Sequence, residues 1–346
     1  MDDIYSNLKA AYYIDRIAAL RTKQPVMPVQ VQLVISDLCN QDCNFCTHRI
    51  SNGTASELFS IGDNHNPNRM IPTDKCIEIL DDCRSLGVEA IQFTGGGEPT
   101  VHPDHLKIFE YAQKHFKTGL ISNGFYLKDW DIYNKFDWIR ISLDAACSET
   151  YQKIRKHSGF YTVVSNINDF SREYKGTLGV GFVVAKDNYN ELYEAAKLAK
   201  DIGADYIRYG AIMSNSGTDL YSHGIEIPIE ESITAASRDY ADNKFKIHDL
   251  FTSRLIDLRS GSPDYDFCGY QYFTVYIGGD QKVYRCCTTS YTRHGDVGDL
   301  SKQRFFDWAV NAKRDFNAKS CSVCQFNDKN RVINYLLSQP DHVEFV

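Results

Sequence analysis

The sequence contains no run of about 18 apolar residues, the minimum for a membrane-crossing helix, which argues against a membrane span. Its opening, MDDIYSNLKAAYY, is acidic where a secretory signal would be basic and then apolar. A reducing cytoplasm is the compartment expected. An excess of basic residues is also missing: the net charge is -7, which argues against a protein that grips a nucleic-acid backbone. Neither an internal repeat nor a low-complexity tract is present. With 43% hydrophobic and 24% charged residues the composition is ordinary for a folded globular chain, so general disorder is excluded. What the chain does have is 11 cysteines in 346 residues. In a reducing compartment such a chain is better read as metal-binding or catalytic than as a disulfide scaffold.

The length allows one large α/β domain, or one with a smaller companion. From residue 29 to 213, strand-like runs alternate with helix-like runs. The strand candidates are 29–36, 90–95, 118–123, 138–144, 178–185 and 206–213, separated by stretches with apolar residues at three- and four-residue spacing. Pro72-Thr73-Asp74 and Asp187-Asn188 look like helix starts, and Gly87 and Gly203 like stops. Six βα units in series imply a parallel sheet with helices outside it, as an open wound sheet or a partial barrel. Beyond 213 the pattern changes. Segment 214–226 is polar, 228–243 reads as a helix, a hairpin turns at Gly278-Gly279-Asp280, and 302–318 reads as a helix. The expected division is a helical extension over 1–28, a barrel over 29–213, a linker and helix over 214–260, and a small α+β domain over 261–346.

Cys39, Cys43 and Cys46 follow directly on the first strand. Three thiolates within eight residues of loop can converge on one metal centre. A structural zinc or a fully protein-ligated cluster needs four ligands, so a 4Fe-4S cluster held here keeps one iron open. A zinc knuckle borrowing a distant ligand is the plainer alternative. The Cys-x3-Cys-x2-Cys spacing after a first strand, with Phe45 before the third cysteine, resembles the radical S-adenosylmethionine (SAM) superfamily.

That resemblance implies a partial (β/α)6 TIM-like barrel and an open iron that binds the amino and carboxylate groups of SAM. It also implies reductive cleavage of SAM to a 5′-deoxyadenosyl radical. Gly95-Gly96-Gly97-Glu98-Pro99, ending the second strand, is similar to the family motif that grips the SAM amino group. Ser122 and Asn123 end the third strand, and Ser142 and Asp144 the fourth; they match positions that reach the ribose and carboxylate, though each alone could be a strand-end polar cap. Arg155 resembles a recurrent arginine near SAM, and Val184 a residue touching adenine; an ion pair and core packing are the bland readings. Cys147, after the fourth strand, is a candidate hydrogen-atom donor, although a loop cysteine with no role is the favoured reading.

Cys268-x17-Cys286 and Cys321-x2-Cys324 offer four thiolates for a closed site of zinc or iron and sulfur. Hairpin, cysteine, helix and CxxC together resemble the twitch domain, the shortened SPASM relative, and so imply an auxiliary 4Fe-4S cluster. Cys287 reads as a packed bystander, and Cys76 and Cys83 as core. The nearest precedent for this spacing oxidises an aminocyclitol, and the 28 residues before the first strand look too few for a leader-binding domain. The expected function is therefore oxidation or epimerisation of a small sugar-, cyclitol- or nucleoside-like molecule, with flavodoxin or ferredoxin as electron donor. The alternatives are C–H modification of a peptide or a nucleic-acid base, and a zinc-stabilised binding protein. The long polar segment 47–70 is a candidate lid, with His48, Arg49 and Arg69 as anion contacts; Arg140, Arg208 and Tyr209 are candidates for the cavity wall.

Overall fold

A computed structural model describes residues 4–48, 70–212, 221 and 224–338 of the chain. The candidate lid residues Arg49 and Arg69 lie outside them. The six expected strands form as β1 (Gln30–Leu33), β2 (Ala90–Phe93), β3 (Lys117–Ser122), β4 (Trp138–Ser142), β5 (Thr177–Val184) and β6 (Tyr206–Ala211). Each pairs with the next in parallel, as strands joined by helical crossovers must. β7 (Lys246–Leu250) adds beside β6, and β8 (Thr274–Ile277) lies parallel to β1 at the other side. β9 (Lys282–Tyr284) and β10 (Asp296–Asp299) then run antiparallel, making a ten-stranded sheet in the order β10-β9-β8-β1-β2-β3-β4-β5-β6-β7. It is the partial barrel of the expected α/β class, extended at both edges.

β7 falls inside the stretch expected as linker and helix. Lys-Ile-His-Asp-Leu carries too little apolar alternation to announce a strand, because it is an edge that buries little. The hairpin forms where expected, between β8 and β9. The helix expected over 302–318 is confined to Phe305–Asn311, where Phe305, Trp308 and Ala309 are buried; a short 3-10 turn at Ala318–Ser320 follows. Past Asn311 the sequence presents no apolar stripe to a core, and propensity alone does not hold a helix. Among the described residues no helix is long and apolar enough to cross a membrane.

The helix Thr73–Ser85 begins after Pro72 and ends at Gly87, whose φ of 72° only glycine adopts at low cost. Its inward face carries Cys76, Ile79, Leu80 and Cys83, all fully buried against the sheet. Asn188 heads the 3-10 turn Tyr189–Glu191, as expected of a helix start, and its side chain does a second job. Its side-chain amide donates to the carbonyls of Asp144 (2.9 Å) and Val183 (3.0 Å), pinning the ends of β4 and β5 together. The main helix of that crossover starts only at Leu192.

Alternation along β5 separates the two faces of the sheet. Leu178, Val180, Phe182 and Val184 pack into the large core under the helices, whereas Val183 points to the barrel interior. Ahead of β1, the helix Ile14–Arg21 places Ile17 against Val29, Phe273 and Ile333, joining the first helix to the last, Asn327–Leu337. Tyr5, still earlier, sets its ring against Tyr206 and His248 at the N-terminal end of β6 and β7.

Val184→Ala is expected to cost about 2 kcal/mol through lost burial and a residual cavity. Val183→Ala, on the open face, is expected to stay within about 0.5 kcal/mol of the parent. Urea unfolding of both variants checks this, and equal losses would show that the faces are wrongly assigned.

Candidate active site

A cavity of about 400 Å³ opens at the C-terminal end of the barrel strands, where barrel enzymes build their sites. Its wall contains Cys39, Phe45, Cys43 and Cys46 from the loop after β1, and Gly95, Gly96, Gly97 and Glu98 from the turn after β2. Ser122 and Asn123 after β3, Ser142 and Asp144 after β4, and Arg155 complete the group. The structure thus gathers residues that are more than a hundred positions apart in the chain.

Local contacts fix each piece. Gly97 donates its N–H to Ser36 (3.1 Å) and Glu98 donates to Leu38 (2.9 Å), so the glycine turn lies against the backbone leading to Cys39. A Cβ on Gly97 would come within 2.2 Å of the Leu38 carbonyl oxygen, which excludes any other residue. From the other side, the helix Ser148–Arg155 grips the cysteine loop: Asn44 N–H donates to Ile154 (2.9 Å) and Asp42 N–H to Arg155 (3.2 Å). Gln41 donates to the Tyr151 hydroxyl at 2.7 Å, and Asn123 donates to Asn40 at 2.6 Å.

The charges at the site are few and buried. Glu98 accepts from the Ser122 hydroxyl (2.8 Å), the Asn123 N–H (2.7 Å) and the Thr100 hydroxyl (2.8 Å). Burial nevertheless outweighs these donors and raises its pKa above the ordinary carboxylate value. Asp144, in the left-handed region at φ 60°, accepts from Val183 N–H (2.6 Å) and is ion-paired with Arg155. Burial works against both partners. Asp144 and the Cys43 thiol still hold the guanidinium firmly protonated, and Arg155 Nη1 donates to Cys43 Sγ at 3.4 Å, so the pair is read as ionised.

Three expected contacts are corrected. Val184 is fully buried in the core and Val183 takes its place on the cavity wall, because alternation on β5 turns it inward. Pro99 is buried in the 3-10 turn that Glu98 caps and does not line the cavity. Cys147 lies outside the wall, with its thiol 3.4 Å from Glu191 Oε1 and 3.5 Å from the Thr150 hydroxyl, because it sits at the start of the following helix. The cavity does contain Cys287, which the sequence had suggested was a bystander, together with Thr288, Ser290 and Gln325. Gln325 donates to Cys287 Sγ at 2.9 Å. His48 and Arg208 line the cavity as well, whereas Tyr209 faces the core and donates to the Leu192 carbonyl.

The second cysteine set is also brought together. Cys268, Cys286, Cys321 and Cys324 lie within one another's electrostatic reach. Burial, reinforced by the neighbouring thiols, pushes Cys268 up to about 12 and raises Cys321 and Cys324. Arg285 faces the same group and favours its ionised form. As free thiols, neither set closes to ligand spacing; among the described residues no three metal-binding side chains do. The donor chemistry nonetheless fits a soft metal or an iron–sulfur cluster, with three thiols on an open cavity and four in a half-buried group.

Comparison with known proteins agrees with this geometry. The radical SAM superfamily model matches residues 33–199. A cofactor-modifying protein for tungsten-containing aldehyde ferredoxin oxidoreductase from Pyrococcus furiosus is 23% identical over 290 residues, 74% of this chain and 79% of that protein. A probable GTP 3′,8-cyclase from Saccharolobus islandicus is 24% identical over 51% of this chain and 54% of its own length. The mycofactocin maturase MftC of Mycobacterium tuberculosis is 24% identical over 56% and 48%. The matches thus span about half the length of the last two relatives. In fold, the Streptococcus suis SuiB structure bound to precursor peptide SuiA superposes with a TM-score of 0.63 at 15% identity, covering 90% of this chain and 71% of that one. Residues 33–199 thus form a radical SAM superfamily domain, and enzymes with that domain use SAM and a 4Fe-4S cluster.

Proposed function

We propose that this chain modifies a C–H bond of a peptide or of a peptide-derived cofactor precursor. The observation that carries this reading is the fold match to SuiB, which extends over nine-tenths of the chain. The names of the mycobacterial maturase and the Pyrococcus protein add support. The sugar or cyclitol expected from the cysteine spacing finds no counterpart among these relatives, and the nucleoside-like part of that expectation has one only in the name of the GTP cyclase, matched over about half its length; the peptide alternative is the better supported. Oxidation or epimerisation as the particular outcome has no support beyond that spacing.

In this reading Cys39, Cys43 and Cys46 hold the SAM-binding cluster, and Cys268, Cys286, Cys321 and Cys324 hold an auxiliary 4Fe-4S cluster. When bound, cluster and SAM supply a carbon radical that abstracts hydrogen from an unactivated C–H. The chain's own residues position that chemistry. Glu98 accepts the SAM ammonium; Ser122, Asn123, Ser142 and Asp144 offer polar contacts to ribose and carboxylate. Arg155 braces the cysteine loop through Cys43 and would offer its charge to the SAM carboxylate. Val183 and Phe45 give apolar wall. A flavodoxin- or ferredoxin-type donor would deliver the electron.

Anaerobic reconstitution should give about eight irons and eight sulfides per chain with 5′-deoxyadenosine formed under dithionite, and Cys39→Ala should lose cleavage and about half the iron. Zinc without iron would sink the assignment. For the substrate, host extract that stimulates 5′-deoxyadenosine formation should lose that effect after protease digestion. A stimulating factor that survives protease and passes a small-molecule filter would overturn the peptide reading.

The raised pKa of Glu98 sets a pH dependence. SAM binding needs the carboxylate, so affinity should fall as pH drops through that raised value, by up to about tenfold per pH unit, with one proton released per SAM bound in that window. Calorimetry in buffers of different ionisation enthalpy reads the proton. Glu98→Gln should abolish the release and weaken binding by about tenfold or more.

A further inference from the structure

We infer that Arg208 is the docking point for an oxyanion of the substrate, a carboxylate or a phosphate, held inside the barrel below the SAM-binding residues. Arg208 lines the cavity three residues before Ala211 on β6, so it lies deeper than the ring of strand-end residues that meet SAM. The inference takes from the proposed function only that this cavity receives a substrate.

The argument begins with missing neutralisation. Among the described residues Arg208 has no ion pair and no hydrogen bond, and its Nε is buried without a partner. Its nearest aromatic neighbour, Tyr5, offers it a ring face at 5.5 Å rather than an oxygen. The Tyr5 hydroxyl instead accepts from Arg140, at 3.4 Å. Burial raises the Tyr5 pKa, but Arg140 and Arg208 outweigh that and draw it below its ordinary value. One phenol cannot neutralise two guanidiniums. The two carboxylates of the cavity are committed elsewhere, Glu98 to its three donors and Asp144 to Arg155. Burial, with Arg140 as a like charge beside it, draws Arg208 down to about 10, so it is still charged near neutral pH.

A buried, unpaired charge is costly to fold, and an arriving anion recovers that cost. The neighbourhood leaves room for one. Gly210 follows two residues on along the same face of β6, and a Cβ there would meet only Arg208 Nη2, at 3.8 Å. Gly181, the partner of Arg208 on β5, adds no side chain of its own, and where its Cβ would stand the nearest atom is Cδ of Arg140, at 3.4 Å. A planar guanidinium in an open, largely dehydrated wall suits bidentate recognition of a carboxylate or phosphate.

The test uses reconstituted holoprotein saturated with SAM, titrated calorimetrically with inorganic phosphate and, separately, with glutarate. Saturable binding of at least one anion is expected, weakened about tenfold or more by Arg208→Gln and less by Arg208→Lys. Tighter phosphate would mark a phosphorylated substrate, tighter glutarate a carboxylate such as an acidic peptide. Gly210→Val, which fills the space beside the guanidinium and leaves Arg208 in place, should weaken binding too and decides the matter if Arg208→Gln fails to fold. No saturable binding, binding unaffected by both variants, or binding that SAM displaces would overturn the inference; the last would give Arg208 to the cofactor. Failure of the wild-type protein to cleave SAM would instead overturn the functional reading and leave the anion result standing.

Discussion

The contact between the glycine turn after β2 and the backbone entering the cysteine loop is the constraint on which the site depends. β1 and β2 pair as far as Leu33 and Phe93, and the bonds from Gly97 to Ser36 and from Glu98 to Leu38 carry the association past the strands. Two loops that would otherwise diverge leave the sheet side by side. Only residues without a Cβ permit that spacing, so the three glycines are a steric requirement of the cavity as much as a ligand surface. Glu98 follows at once, held in place by Ser122 and Asn123, which ties β3 into the same arrangement.

Electrostatics then explains why the site is costly and specific. Glu98, Asp144, Arg155 and Arg208 all line one cavity, and only Asp144 and Arg155 neutralise each other. Neutral donors offset only part of the burial that opposes a charge on Glu98, and Arg208 has no such donors or acceptors around it. A negative group near the glycine turn and a positive one deeper in the barrel define a field that a zwitterionic or anionic ligand completes. Removing either charge would relieve the empty fold and cost the loaded one, the usual trade at a preorganised site.

Much of this was legible in the sequence because the informative features are local. Cysteine spacing, three consecutive glycines and β-strand periodicity each fall within a dozen residues, and the six strands and the hairpin follow from them. What failed to show was either weakly patterned or a matter of facing. β7 is a polar edge, so burial imposed no alternation on it. Val183 and Val184 are chemically identical neighbours, and only the register of β5 decides which one meets the cavity. Cys287 looked idle beside Cys286 for the same reason, since adjacency in sequence says nothing about which side each thiol takes. Arg208 was visible as a candidate, but its unpaired state depends on where Tyr5, Arg140 and Asp144 fall in three dimensions.

The two cysteine sets share one frame, and this bears on how they cooperate. β8 pairs with β1 from Gln30 opposite Thr274 to Leu33 opposite Ile277, so the strand that feeds Cys39 and the hairpin that feeds Cys286 are nearest neighbours in the sheet. Val34 N–H donates to Ile277 beyond the strands, and the buried Tyr291 hydroxyl bonds Asp37, just before the first cysteine loop. These contacts fix the distance between the sets by backbone pairing rather than by a flexible hinge. Cys286 itself is extended, at φ -162° and ψ 170°, so its side chain and that of Cys287 leave on opposite sides. One joins the half-buried four-thiol group and the other reaches the cavity. A single peptide unit therefore separates the second set from the cavity that the first set lines.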